Sequence, residues 1–126
     1  MTLKQVKAKK YRVDFVCVHW YGGPNANSLV KHITKIHKLY GKPIWITEFA
    51  VADWNAKNIK QNKHSAPQIL KFMKEVLPKL EKLPFVERYA WFSGAPDHKA
   101  LGTSALFKKD GSLTVLGKFY AGFRSK

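Results

Sequence analysis

The sequence predicts an α/β fold built on parallel strands. Short apolar runs at 13–18, 44–49 and 86–92 alternate with longer segments whose apolar residues recur at helical spacing, so the element order is β-α-β-α-β-loop-α. The run Pro43-Ile44-Trp45-Ile46-Thr47-Glu48-Phe49 reads as a buried parallel strand with a carboxylate at its carboxyl end. The other two runs also end on polar or aromatic groups, in His19-Trp20-Tyr21 and in Trp91-Phe92. Ligands of α/β folds bind beyond the carboxyl ends of parallel strands, in open sheets and in barrels alike.

The elements follow in order. Residues 1–12 are basic and read as the tail of a helix or a frayed start. The first strand is expected at about 13–19, followed by a loop at Gly22-Gly23-Pro24-Asn25. A helix over 27–40, capped by Asn27 or Ser28, carries Leu29, Ile33, Ile36 and Tyr40 on one stripe. Gly41 is placed to end it as a left-handed glycine. The second strand spans 44–48 and a long loop 50–64. Ser65 and Gln68 form a capping box, with Pro67 in the first turn. Ile69, Phe72, Met73, Val76, Leu77 and Leu80 supply that helix's buried face, and Pro84 ends it. A third strand over 86–92, a loop over 93–104, a turn at Lys109-Asp110-Gly111 and a helix over 114–124 complete the chain.

Length and charge bound the answer. The 126 residues suit one domain, whereas a closed eight-stranded α/β barrel takes about 250. Hydrophobic residues make up 45% of the chain, which argues against disorder. The formal charge of +15 comes from 23 Lys and Arg against 8 Asp and Glu, yet only Arg12, Arg88 and Arg124 are arginines. Nucleic-acid readers rely on bidentate Arg contacts, so the excess reads as a solvated surface with general attraction to polyanions, not as a specific nucleic-acid interface. Cys17 is the single cysteine; it allows no intrachain disulfide and is expected as a small buried hydrophobe. Met1–Lys10 lacks the apolar segment of a signal peptide, and no apolar run reaches the length of a membrane span. Localisation stays open, since a longer parent could be secreted.

Glu48 is the sharpest candidate: either a catalytic carboxylate or a strand-end Glu paired with a basic neighbour. His19 and Tyr21 are placed to hold it, and Trp20 and Trp91 to stack on sugar; for His19, Trp20 and Trp91 the alternative is core packing. Asp53 and Trp54 either line the cleft or form a turn with a Trp lid. His64, Asp97 and His98 lack metal-ligand spacing, and no metal or cofactor is expected. No phosphate-binding loop and no serine-hydrolase elbow occurs, and Lys57, Lys60 and Lys63 form a basic, solvated loop.

These blocks carry a resemblance. Asp14-Phe15 through Tyr21, Gly41 through Ala50, Val86 through Phe92, and the closing Leu113-Thr114, Leu116-Gly117 and Tyr120 are similar, in order and spacing, to the glycoside hydrolase catalytic core family. That family includes fungal alkali-sensitive-linkage proteins and endo-β-1,3-glucanases. The match runs from about residue 11 to the end, so residues 1–126 are read as one partial catalytic domain. The resemblance implies the C-terminal part of a (β/α)8 TIM barrel, about three βα units, acting by a retaining mechanism on β-glucan. It implies Glu48 as the nucleophile after the seventh strand, His19 and Tyr21 as groups that contact the sugar and orient Glu48, and Trp91 as the stacking platform. The family's acid/base Glu falls in a half that this sequence does not contain. Asp53 and Asp97 are the carboxylates near the same rim. The implied partners are a β-glucan and either a separate N-terminal barrel half or a second copy. Glycan binding without turnover is the alternative, and a basic polyanion binder the next.

Overall fold

Two helices are specified almost residue by residue. The computed structural model describes residues 3–124. After a short α1 (Leu3–Ala8), α2 spans Ala26–Tyr40 and buries Leu29 and Ile33. Asn25 caps it, its side chain accepting from the Ser28 N–H, so the helix begins one residue before the expected start. Gly41 closes it at φ 64°, a left-handed conformation that glycine adopts without a Cβ penalty. In α3 (Ala66–Lys82) the expected capping box is present: the Gln68 N–H donates to Ser65 Oγ and the Ser65 N–H to Gln68 Oε1. The helix runs through Pro78, which omits one backbone hydrogen bond on an exposed face.

The strands are β1 (Val16–Gly22), β2 (Ile44–Val51) and β3 (Val86–Trp91), all parallel in the order β1-β2-β3. β1 lies about three residues later than the sequence suggests. Its ladder starts where β2 can pair, with Val16 N–H donating to the Pro43 carbonyl, and it extends to Gly22, whose carbonyl accepts from Ala52 N–H. β2 likewise takes in Ala50 and Val51, so the following loop is shorter than expected and holds a 3-10 turn at Ile59–Gln61. The last helix, α4 (Val115–Gly122), packs on α3.

Side-chain alternation divides the sheet. Val18, Ile44, Ile46, Phe49 and Trp91 face the helices and are buried with Phe72, Met73, Val76 and Leu77 of α3. Cys17, His19, Trp45, Thr47 and Arg88 occupy the opposite face, which no helix covers. Cys17 is therefore exposed rather than a buried hydrophobe: it is one residue out of phase with the buried Val18. On this face Phe15 stacks on Trp45 at 3.9 Å between ring centroids, and Arg88 lies 5.1 Å over the same indole. The free edge of β3 borders a concavity of about 580 Å³ lined by Trp45, Glu81, Arg88, Tyr89, Tyr120 and Phe123. There the Tyr89 phenol donates to Glu81 at 2.6 Å, and the Tyr120 hydroxyl accepts the edge N–H of Trp91.

Candidate active site

The β1–β2 ladder contains one irregularity, and it sits beneath Glu48. Val18 pairs with Ile46, but His19 pairs with Glu48, so Thr47 is the extra residue of a β-bulge. The β2–β3 register shifts over the same span, from Ile46↔Tyr89 to Phe49↔Trp91. Strict alternation would place Glu48 with Ile46 on the helix side. The bulge instead turns it to the open face, beside His19, and returns Phe49 to the core.

Glu48 is then held from β1. The Tyr21 hydroxyl donates to Glu48 Oε2, and His19 Nδ1 lies 3.5 Å from the same oxygen. Both contacts fall on Oε2; among the described residues no hydrogen bond reaches Oε1. Burial pushes the Tyr21 phenol well above its ordinary range, reinforced by the hydrogen bond to Glu48 and by that carboxylate's charge. Tyr21 thus stays a protonated donor. Its ring is braced edge-on by Trp54, 5.7 Å away, and by Phe92, 5.8 Å away.

Trp54 is 57% exposed, so one indole face is open to solvent next to the Tyr21–Glu48 pair. Its position depends on Asp53, which is 5% exposed. The Asp53 carboxylate accepts from the Lys63 N–H at 3.0 Å and the Asn55 N–H at 3.2 Å, and its own N–H donates to the Ala100 carbonyl. The Lys63 amide bond is the main reason that its pKa lies below the usual carboxylate value, outweighing the opposing effect of burial. Asp53 therefore organises the 53–64 loop, and its carboxylate is occupied by backbone. Asp97 lies 3.5 Å from Lys109 in an exposed pair.

Of the residues singled out from sequence, the structure brings together Glu48, His19, Tyr21 and Trp54. It does not bring Trp20 or Trp91 to them. Trp20 stacks on Phe72 of α3. Trp91 is 6% exposed, packs edge-on against Phe49, and donates its indole N–H to the Ser104 carbonyl. Counting by two from the buried Val18 reaches Trp20, a signal already present in the sequence. Phe92 is the neighbour that the sequence reading left without a role; it is one step out of phase with the buried Trp91. Among the described residues, no group of three or more His, Cys, Asp or Glu side chains is placed to hold a metal ion.

Known proteins share this sequence pattern and fold. Residues 3–120 match the family described as "Glycosyl hydrolase catalytic core". Alkali-sensitive linkage protein 1 of Schizosaccharomyces pombe is 35% identical over 111 residues, which are 86% of this chain and 20% of that protein. A subgroup I endo-β-1,3-glucanase of glycoside hydrolase family 128 from Amycolatopsis mediterranei, solved with laminaritriose and laminaribiose, superposes with a TM-score of 0.77 at 30% identity. The superposition covers 94% of this chain and 48% of that enzyme. A subgroup VI exo-β-1,3-glucanase from Aureobasidium namibiae gives 0.72 at 25% identity, over 90% and 43% of the two chains. The chain thus spans about half the length of these solved structures and a fifth of the curated relative.

Proposed function

Since the chain belongs to the glycosyl hydrolase catalytic core family and carries part of its TIM-barrel fold, we propose that it supplies the nucleophile side of a retaining β-1,3-glucanase site. The observation that carries this reading is the Glu48 carboxylate, turned to the strand-end rim by a bulge and gripped through Oε2 by Tyr21. Oε1 is left to attack the anomeric carbon. Attack forms a glycosyl ester on Glu48 while the glycosidic oxygen leaves with a proton from a carboxylic acid; water, deprotonated by the same group, then releases the sugar. The Tyr21 O–H fixes the carboxylate's orientation, and the exposed face of Trp54 stacks on a flanking glucose unit.

The acid/base carboxyl must stand about 5–5.5 Å from the nucleophile. Asp53 and Asp97 are poor choices: the first is ionised and bound by backbone amides, the second ion-paired at the surface. We assign this role to a residue outside the 126, on the strands that would complete the barrel, whether these are joined to this chain or separate from it. Support comes from the Amycolatopsis enzyme, whose complexes with laminari-oligosaccharides were solved with two different glutamates replaced by alanine.

A second reading, glycan binding without turnover, is favoured for this chain alone by the same engagement of Asp53 and Asp97. Titration with laminarihexaose, followed by tryptophan emission, separates the possibilities. Saturable binding that Trp54→Ala weakens about tenfold or more, about 1.4 kcal/mol, supports the cleft; no binding by the chain alone removes the second reading. With a complementing barrel half present, Glu48→Gln should abolish hydrolysis while retaining binding. Undiminished hydrolysis by that variant would sink the nucleophile assignment.

A further inference from the structure

The outer, helical side of the molecule carries a feature that the Glu48 rim does not use. α2 and α3 together hold seven lysines (Lys31, Lys35, Lys38, Lys71, Lys74, Lys79 and Lys82), all exposed, against two glutamates, of which Glu81 accepts from Tyr89. α2 itself has no acidic residue. Among the described residues none of these lysines forms an ion pair. Several lie three or four positions apart on one helix, where like charges repel and destabilise. Such unopposed charge weakens the fold and finds its compensation in an anionic partner.

The charge borders a concavity. Between the first turn of α2 and the flank of α3 lies a groove of about 610 Å³, lined among others by Asn25, Asn27, Lys74, Lys79, Lys82 and Glu75. Its volume suits a few sugar units. Lys79 and Lys82 supply counter-charges for carboxylates, Lys74 adds a third at the margin with its ammonium 5.7 Å over the Phe119 ring of α4, and two amides supply donors and acceptors for hydroxyls. We propose that this groove binds a linear acidic polysaccharide, its ammonium groups meeting the carboxylates and the other α2 and α3 lysines extending the field. The occupant is a glycan, not a nucleic acid. The face offers lysine point charges without arginine forks to read bases, and the groove is lined by no aromatic ring on which bases could stack. Because the groove lies on the helical layer, strands that complete the sheet leave it open, and a neutral glucan and an acidic one could be held back to back. The inference is independent of the Glu48 reading.

The test uses the whole chain and fluorescent polygalacturonate, read by anisotropy against salt. The triple variant K74Q/K79Q/K82Q should bind about tenfold or more weakly and show a flatter salt dependence. A control, K99Q/K108Q/K118Q, removes the same charge from exposed sites elsewhere and should lose less than about threefold. Equal losses in the two variants would overturn the groove in favour of diffuse attraction. Complete displacement of the polysaccharide by duplex DNA or anionic lipid vesicles at equal charge concentration would overturn the assignment to an acidic glycan. Thermal unfolding of both variants at or above the wild-type midpoint excludes a folding artefact.

Discussion

The two faces of one small sheet obey different rules. The face toward α2 and α3 is apolar and sealed: Ile44, Ile46 and Phe49 are fully buried. The face away from them carries His19, Trp45, Thr47 and Glu48, with a stacked Phe15 and an Arg88 over an indole. Burial explains the first face without reference to function. The second holds ionisable and aromatic groups that burial does not explain, and the proposed function gives them a ligand. A parallel sheet is normally covered on both sides, and under the proposed function the bare face is the one that further barrel strands would enclose.

The comparison breaks first at its apolar side. Phe49→Ala, which removes a ring packed between Tyr89 and Trp91, should cost about 3–5 kcal/mol in denaturant unfolding. Thr47→Ala, two positions earlier on the other face, should cost under about 0.5 kcal/mol. Similar losses would mean that the open face is covered in solution. Next comes the boundary. Tyr21→Phe removes the donor to Glu48 and should cost about 1–2 kcal/mol. Because folding raises the Tyr21 pKa, that stabilisation is fully present below about pH 10, the phenol's unfolded value, and is lost as pH rises through the folded value. Wild type should therefore lose stability above about pH 10 more steeply than Tyr21→Phe; parallel alkaline curves would remove Tyr21 as the cause. Loss of the α3 cap in Ser65→Ala should cost about 1 kcal/mol, as a helix on the covered side requires. Smallest of all, Cys17→Ser should change stability by less than about 0.5 kcal/mol, because the thiol faces solvent. A larger loss would again reveal a partner on that face.

How much of this could be read from the chain follows the same division. Helical stripes and caps are local, so α2 and α3 were legible to within a residue or two from Leu29, Ile33, Ser65 and Gln68. Strand limits depend on a neighbour: Val13–Phe15 look strand-like, but pairing begins at Val16, opposite Ile44. Glu48, His19, Tyr21 and Trp54 could be picked out because polar and aromatic groups at strand ends and in the next loop are few. The directions of Trp20 and Trp91 could not be read from residue type, since an indole serves a core and a sugar platform equally well; only their phase relative to Val18 and Phe49 decides. The bulge was illegible because Thr47 becomes an extra residue only against β1 and β3.

That extra residue has a genetic consequence. Over this span β2 carries one residue more than either neighbour, so in-frame loss of the Thr47 codon would close the bulge and still leave Ile46 and Phe49 inside and Glu48 on the cleft side. Loss of one codon elsewhere in the strand would instead flip the side chains beyond it to the other face.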